Sequence, residues 1–187
     1  MILTVQEAVR ALSLGKTVVV PTETVYGMAA LASDPHAVAE VYRIKKRPVN
    51  NPLILHFSDV ETIKKYTSLP DLVDSVASFW PGPLTLLLPH GGRVSGAVTA
   101  GSSFVACRIP DHPLLLQILK ALGEPLAAPS ANFSGASSPT CVEDLDTALL
   151  EQTAGVVDGG PCRIGIESTI IRLEKNHFQI VRPGLIG

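Results

Sequence analysis

The feature that most constrains the fold of this chain is an early alternation between capped helical segments and short apolar runs. Thr4 and Glu7 form a capping-box pattern, in which a hydroxyl and a carboxylate satisfy free N–H groups at a helix start. Asp34 followed by Pro35 is typical of a second helix start. The β-branched run 17–20 lies between these helices, which favours a buried strand there.

Strand signals crowd together in the second half of the chain, where helical patterns become fewer. We therefore predict an α/β fold: a single domain over residues 1–187, with a twisted, mixed open β-sheet flanked by helices. Thr140 with Glu143 repeats the capping-box pattern and predicts a late helix. The remaining predicted helices begin at 35 and near 59 or cover 71–79, 112–122 and 140–151, and the remaining predicted strands are 53–57, 84–88, 104–109, 126–128, 155–157, 168–173 and 178–181.

Composition narrows the classes of function. The chain has 187 residues, and a core of that size buries roughly 70% of the unfolded surface without disulfides. Charged residues make up only 17% and the net charge is −2, which excludes a strongly basic nucleic-acid coat but not a local basic cleft. Apolar runs are too short to span a membrane, and no signal-peptide pattern begins the chain. We therefore expect a cytoplasmic protein, and three cysteines at wide spacing agree with a reducing compartment.

Common catalytic signatures are missing from the sequence. Gly15-Lys16-Thr17 lacks the earlier glycine of a phosphate-binding P-loop, because Arg10 stands in that place. The triplet also precedes a strand, so we interpret it as a helix stop. The sequence contains no G-x-G-x-x-G, no G-x-S-x-G elbow and no metal-ligand spacing. We therefore predict no protein-bound metal, and the case for a covalent nucleophile is weak.

A polar loop after the first predicted strand is a candidate ligand site. Segment 21–27 carries two threonine hydroxyls, one carboxylate and one phenol. Ligands usually bind at strand ends in α/β sheets. The alternative is a capped turn, in which the Thr and Glu side chains bond the backbone. The spacing alone favours neither interpretation.

Three basic residues lie together at the end of the second predicted helix. Lys45, Lys46 and Arg47 would complement the helix dipole there, so a solvated charge run is one interpretation. The other is an anion site, because Arg offers a planar fork for phosphate or carboxylate and Lys a mobile point charge. Asn51 and His56 follow, so an amide and an imidazole could face the same ligand.

Two further features suit a ligand pocket. Segment 130–135 lies in an uncharged stretch, and its small hydroxyl residues and glycine allow close approach to phosphate or adenine. A plain Ser/Gly turn would have the same composition. Arg108 follows an apolar strand, and a charge leaving a buried strand needs a partner or a ligand.

Five motifs occur in order along nearly the whole chain: PTETVYG, K-x-R-P-x-x-N-P-L-x-x-H, S-A-N-x-S-G, S-T-I and R-P-G. With these motifs the chain resembles the YrdC-like family of threonylcarbamoyl-AMP synthases, in its single-domain form. One such motif would be weak evidence, but five in order are specific. The family also includes longer members with an added C-terminal domain, so the chain resembles either the single-domain form or a fragment of the longer one.

The resemblance implies an activity as well as a fold. It implies a twisted α/β open sheet with a concave, positively lined cavity. The implied enzyme is an L-threonylcarbamoyladenylate synthase, a nucleotidyltransferase that makes threonylcarbamoyl-AMP and pyrophosphate from L-threonine, bicarbonate or CO2, and ATP. ATP is then a substrate, with Mg²⁺ expected to bridge its phosphates. Partner enzymes would pass the group to the adenosine beside the anticodon of tRNAs that read codons starting with A.

The family's functional positions can be assigned to this sequence motif by motif. One group holds L-threonine, a basic pair faces phosphate and is expected to be catalytic, and a third group binds ATP. The resemblance assigns Thr24, His56, Arg108 and Ser168 to L-threonine, Lys45 and Arg47 to catalysis, and Arg47, Asn51, Ser130, Asn132, Ser138 and Arg182 to ATP.

Two other functions stay open. Related domains resemble double-stranded RNA binders, although the net charge and the aromatic content of 5% count against RNA binding as the main role. A carbamoyl transfer like that of hydrogenase-maturation enzymes is the other alternative, and the pattern around Asn51 and His56 favours threonine over it. Phe104 and Ala128 depart from the family, which often has a hydroxyl residue at each position.

Overall fold

Helices and strands are interspersed along the part of the chain that the computed structural model describes, residues 1–70, 73–173 and 177–186. Two short 3-10 helices cover Ala77–Phe79 and Val142–Asp144. The helices are α1 (Val5–Ser13), α2 (Pro35–Lys45), α3 (Val60–Tyr66), α4 (Val73–Val76), α5 (Gly96–Thr99), α6 (Pro113–Leu122) and α7 (Thr147–Leu150). The strands are β1 (Val18–Val20), β2 (Gly27–Leu31), β3 (Ile54–His56), β4 (Leu84–Pro89), β5 (Phe104–Arg108), β6 (Leu126–Ala127), β7 (Thr169–Leu173) and β8 (Phe178–Arg182).

The strands of these described residues form one mixed sheet in the order β1-β2-β6-β3-β5-β4-β7-β8. The pairs β3–β5 and β4–β7 are parallel, and all other neighbours are antiparallel. In the central parallel pair, His56 lies opposite Arg108. The predicted mixed α/β sheet is thus confirmed, and two polar side chains end neighbouring strands at its centre.

The first two strands of the sheet are buried on both faces, and their side chains are apolar on either side. Val18 and Ala29 belong to the cluster that α1 and α6 cover. Val19 and Met28 point to the opposite face and belong to the cluster that includes α2. Because side chains alternate across a strand, consecutive apolar residues serve both layers.

The predicted helix caps explain where α1 and α2 begin. Thr4 Oγ1 accepts a hydrogen bond from the Glu7 N–H, and the Glu7 carboxylate accepts one from the Thr4 N–H, so the capping box is present. Asp34 Oδ1 accepts hydrogen bonds from the N–H groups of His36 and Ala37. At its other end α2 stops at Lys46, whose φ of 52° turns the chain into the left-handed region before Arg47.

Strand β2 and helix α5 were not predicted from the sequence. Most of β2 consists of Gly27, Met28 and two alanines, and Gly and Ala have low strand propensity. Its hydrogen bonds to β1 and β6, together with burial on both faces, determine this strand. The prediction failed because tertiary context outweighs local propensity here.

The prediction of one helix over 140–151 was wrong. The Thr140 N–H and hydroxyl donate to Asp144 Oδ2 at 2.9 and 2.8 Å, so Thr140 is bonded to Asp144 rather than to Glu143. A 3-10 turn results, and Asp146 then caps the separate helix α7. The bond from Thr140 to Asp144 therefore takes the place of the capping box that was expected between Thr140 and Glu143.

Two other predicted elements need correction. Segment 155–157 makes only isolated bridges, from Val156 to Ile2 and Val19, rather than a strand of its own. The helix predicted over 71–79 divides into α4 and a 3-10 turn, and residues 71 and 72 lie outside the described residues. No helix in the described part of the chain has the length and apolar character needed to cross a bilayer.

Leu55 provides a test of the central strands. It lies fully buried in β3, paired with β5 and β6. We expect Leu55→Ala to lower the free energy of unfolding by about 2–5 kcal/mol, because it removes buried methyl groups and leaves a cavity. Leu14→Ala, at an exposed position, is the control and should change it by less than about 0.5 kcal/mol. Urea titration measures both, and equal losses would contradict the assigned core.

Candidate active site

One pocket gathers most of the predicted site residues where β3 and β5 end. The cavity has a volume of about 80 Å³ and opens between the loops that follow β1 and β6 and the segment before β7. Three arginines and one glutamate lie among its lining residues. The predicted residues on its wall are Thr24, Arg47, His56, Arg108, Ser130, Ser168 and Arg182.

His56 ends β3 beside the cationic end of β5. It is buried, and its Nδ1 has no hydrogen-bond partner among the described residues. Burial, together with the nearby Arg108 charge, lowers the pKa of His56 to about 3. The imidazole is therefore neutral at physiological pH and offers hydrogen-bonding atoms without a charge.

Arg108 has the protein partner that its position requires. Its Nη2 lies 2.7 Å from Glu23 Oε1, and its Nε donates to the Gly82 carbonyl at 3.1 Å. Burial lowers the pKa of Arg108 below its ordinary value, and the Glu23 carboxylate opposes that shift. In the sequence, Glu23 is only one carboxylate in a polar loop. A buried arginine needs an anionic partner, and that requirement of Arg108 is the signal that could have pointed to Glu23.

The polar loop after β1 is both a capped turn and a pocket wall. The Thr22 hydroxyl donates to the Val25 carbonyl at 2.6 Å and accepts from the N–H groups of Thr24 and Val25. Its oxygen also lies 2.9 Å from Thr24 Oγ1. Thr24 Oγ1 lines the pocket, and a hydroxyl can both donate to and accept from a ligand. Both interpretations of segment 21–27 therefore apply, because Thr22 caps the turn while Thr22 and Thr24 both line the pocket.

Arg182 and Glu167 form a second charged pair on the wall. Arg182 Nη1 contacts the Glu167 carboxylate, and Nη2 donates to the Ser168 carbonyl at 2.8 Å. Ser168 Oγ lies 2.7 Å from the buried Thr85 Oγ1, and this hydrogen bond holds the Ser168 hydroxyl in place. The Ser138 hydroxyl donates to Glu167 at 3.0 Å, so Ser138 reaches the wall only through that carboxylate. Glu167 was not predicted as a site residue.

Arg47 faces the pocket from the segment after α2. Its Nη2 donates to Asn51 Oδ1 at 2.7 Å and to the Pro52 carbonyl at 2.8 Å. Asn51 itself does not line the pocket and is connected to it through Arg47. Burial lowers the pKa of Arg47 from its ordinary value.

The three basic residues that adjoin in sequence have separate environments. Lys46 is exposed, with its Nζ 5.2 Å from the centre of the Phe133 ring. Lys45 is buried behind the pocket, where its Nζ donates to the carbonyls of Ser130 and Asn132. Burial, together with the Arg47 charge, lowers the pKa of Lys45 to about 8. The structure therefore supports neither a simple solvated charge run nor direct exposure of both lysines to one ligand.

The loop after β6 is held by hydrogen bonds from Lys45 and from the side-chain amide of Asn132. Asn132 Nδ2 donates to the carbonyls of Phe133 and Ala136, at 3.1 and 2.6 Å, so its side chain closes the loop on itself. Four predicted residues thus support the wall instead of lining it: Lys45, Asn51, Asn132 and Ser138.

The two departures from the family pattern have different consequences. Ala128 lines the pocket, and its N–H donates to the Ile54 carbonyl at 3.0 Å. Phe104 begins β5 at the end opposite Arg108, where its ring stacks 4.2 Å from the Arg172 guanidinium. The missing hydroxyl at 104 therefore does not alter the wall. The described residues contain no group of three or more His, Cys, Asp or Glu placed to hold a metal ion.

Comparison with known proteins decides the family. The family model for Sua5, YciO and YrdC, described as "Telomere recombination", matches residues 10–184. This chain belongs to that family. The predicted membership is thereby confirmed, and with it the fold class.

Similar proteins span a range of lengths. The threonylcarbamoyl-AMP synthase of Bacillus subtilis is 43% identical over 183 residues, which cover 96% of this chain and 53% of the relative. The crystal structure of Pyrococcus abyssi Sua5 complexed with L-threonine has a TM-score of 0.90 at 39% identity, covering 96% of this chain and 54% of that one. The Stenotrophomonas maltophilia threonylcarbamoyl-AMP synthase is 37% identical over 84% of this chain and 87% of its own length. The chain therefore spans about half of the first two proteins but most of the third.

The low pKa of His56 predicts a pH dependence of stability. The folded state keeps His56 neutral down to about pH 3, whereas the unfolded state takes up the proton below about pH 6.5. This stability is fully present above the unfolded pKa and is lost as the pH falls from about 6.5 towards 3, by at most about 1.4 kcal/mol per pH unit. We expect His56→Gln to show a shallower fall, measured by urea unfolding at several pH values. His36→Gln, at an exposed position, should keep the wild-type slope, and an unchanged slope in His56→Gln would contradict the assignment.

Proposed function

We propose that this protein is a threonylcarbamoyl-AMP synthase, with residues 1–187 forming a YrdC-like catalytic domain. The observation that carries the proposal is the meeting of two predicted residue groups in one pocket. Residues expected to hold L-threonine and residues expected to hold ATP phosphate line the same wall. The relatives that bear this enzyme name, and the L-threonine complex of P. abyssi Sua5, support the same reaction for this chain.

Threonine would bind at the ends of β3 and β5. Arg108 would face its carboxylate, since a guanidinium fork matches a carboxylate in shape and charge. The neutral His56 and the Thr24 oxygen would bind the amine or hydroxyl without repelling a cation. Ser168, buried between Thr85 and Arg182, would contribute a fixed hydroxyl.

ATP phosphates would face Arg47 and Arg182, which line the pocket. Lys45 would add positive charge from behind the wall and hold the Ser130–Asn132 loop through its carbonyls. Ser130 would meet the nucleotide directly, because it also lines the pocket. The remaining predicted ATP residues would act through the contacts described above; they are Asn51, Asn132 and Ser138.

The proposed chemistry needs no protein nucleophile. The amine of threonine adds to the carbon of CO2 and loses a proton, which gives an N-carboxylate. One oxygen of that carboxylate attacks the α-phosphorus of ATP, the bond to the bridging oxygen breaks, and pyrophosphate leaves. Phosphoryl-type transfer depends mainly on positioning and on neutralising charge, which Arg47 and Arg182 would supply. The small pocket would limit water around the labile N-carboxylate.

Mg²⁺ is expected to arrive with ATP. It is usually held by substrate phosphates and one or two carboxylates, so a site without a preformed group of ligands fits that mode. Glu167 is the acidic side chain among the described lining residues, and it would be the carboxylate nearest to bound phosphates. The ion would neutralise charge on the phosphates, while the arginines would orient the triphosphate of ATP.

The proposed product defines the protein's partners. Threonylcarbamoyl-AMP is an activated mixed anhydride, so an enzyme that transfers its acyl group must follow. We propose that such enzymes deliver it to the adenosine beside the anticodon of tRNAs that read codons starting with A, in the cytoplasm. Direct RNA contact by this chain stays a prediction, tested by whether binding falls steeply with salt.

The activity itself is tested with purified protein. We expect pyrophosphate release from ATP only when both L-threonine and bicarbonate are present, with threonylcarbamoyl-AMP as the co-product. Omitting each substrate in turn is the control. Absence of release with every amino acid tried would refute the proposed reaction.

Arg47→Ala tests the phosphate wall. The variant removes a charge-assisted contact worth about 1.5–3 kcal/mol, so threonine-dependent pyrophosphate release should fall by about 10- to 150-fold. Arg43→Ala is the matched control, because Arg43 is an exposed arginine of α2 that pairs with Glu40 away from the pocket. It should keep near-normal activity. Equal activity of the two variants would contradict the role of Arg47.

A further inference from the structure

The Glu23 carboxylate is a buried charge that the proposed roles leave unexplained. Glu23 is 2% exposed, and within the described residues neither of its carboxylate oxygens makes an aligned hydrogen bond. A carboxylate removed from water is unfavourable unless a cation faces it. That cation is Arg108, itself 3% exposed, at 2.7 Å.

The backbone around Glu23 is held in place. The Glu23 carbonyl accepts from the Ile164 N–H at 2.8 Å, and the Thr24 carbonyl accepts from the Gly165 N–H at 3.0 Å. Glu23 also lies inside the capped turn in which Thr22 Oγ1 accepts from the N–H groups of Thr24 and Val25. Because the main chain is fixed, the length of the Glu23 side chain determines where its carboxylate lies.

The Arg108 guanidinium is oriented by two contacts on its protein side. Nε donates to the Gly82 carbonyl, and Nη2 faces Glu23. The Nε hydrogen bond and the Nη2 ion pair with Glu23 together restrict the orientation of this planar group, and the side chain lines the pocket. Without Glu23, the bond to Gly82 would be the remaining polar contact of the Arg108 guanidinium among the described residues, so its orientation would be less restricted.

We propose that Glu23 is a positioning residue that orients Arg108 towards the carboxylate of the amino-acid substrate. The inference rests on the proposed function. Glu23 does not line the pocket, so it acts through Arg108 and not as a base on the substrate amine. The pair thereby makes the site selective for amino acids that carry a free carboxylate.

Glu23→Asp is the test variant, because it keeps the charge and withdraws the carboxylate by one methylene. Dissociation constants are measured by calorimetry for L-threonine and for L-threoninol, in which CH2OH replaces the carboxylate. We expect Glu23→Asp to weaken L-threonine binding by about tenfold or more, since small misplacements of a positioning group are costly. Binding of L-threoninol and the KM for ATP should change by less than about twofold.

Asp111→Asn is the matched control, because it removes an exposed carboxylate that pairs with Arg163 at 2.6 Å. It should leave both dissociation constants unchanged. Equal weakening of L-threonine and L-threoninol binding in Glu23→Asp would show a general structural effect and overturn the inference. So would an unchanged preference for L-threonine.

A measurement on the wild-type protein keeps the inference testable if Glu23→Asp does not fold. We expect the Arg108 Nε–H resonance to be sharp without ligand and to shift little when L-threonine binds, because the fork is already oriented. A broad resonance that sharpens only with L-threonine would refute positioning by Glu23. Wild-type protein that binds L-threonine but makes no adenylate would refute the proposed reaction and leave this inference standing, whereas no L-threonine binding at all would remove both.

Discussion

The parallel pairing of β3 with β5 is the interaction on which the site depends. It aligns His56 with Arg108, so that an imidazole and a guanidinium end adjacent strands. Burial, together with the Arg108 charge, lowers the pKa of His56 and keeps the imidazole neutral, and the buried Glu23 carboxylate faces the Arg108 cation. Loops from distant parts of the chain then complete the wall around this pair. A shift of one residue in either strand would turn its polar side chain to the other face of the sheet and separate His56 from Arg108.

The low proportion of charged residues in this chain contrasts with the charge gathered at the pocket. Charged residues are only 17% of the sequence, yet Arg47, Arg108 and Arg182 meet in one pocket. Arg108 is buried and the other two are half-buried, so removal from water makes their charges costly, and each is held by a protein carbonyl. An incoming anion would therefore find donors that are already oriented, which is the condition for stabilising charge that develops during a reaction.

Much of the fold follows from local signals in the sequence. The caps at Thr4 and Asp34 and the apolar strand runs predict α1, α2 and most strands, because each signal is short-range. Strand β2 could not be predicted, since its alanines become a strand only through pairing with β1 and β6. The site shows the same division. Motif resemblance identified seven wall residues, whereas the partnership of Glu23 with Arg108 depends on contacts between residues 85 positions apart, which no local pattern contains.

The central claim is that threonine and the α-phosphate of ATP meet in one pocket at the ends of β3 and β5. A crystal structure with L-threonine, bicarbonate and a non-hydrolysable ATP analogue tests it most directly. The account predicts the threonine carboxylate at Arg108 and the phosphates between Arg47 and Arg182, with the amine turned towards the α-phosphate. Threonine or nucleotide bound in another cavity, such as the apolar one beside β8, would contradict it.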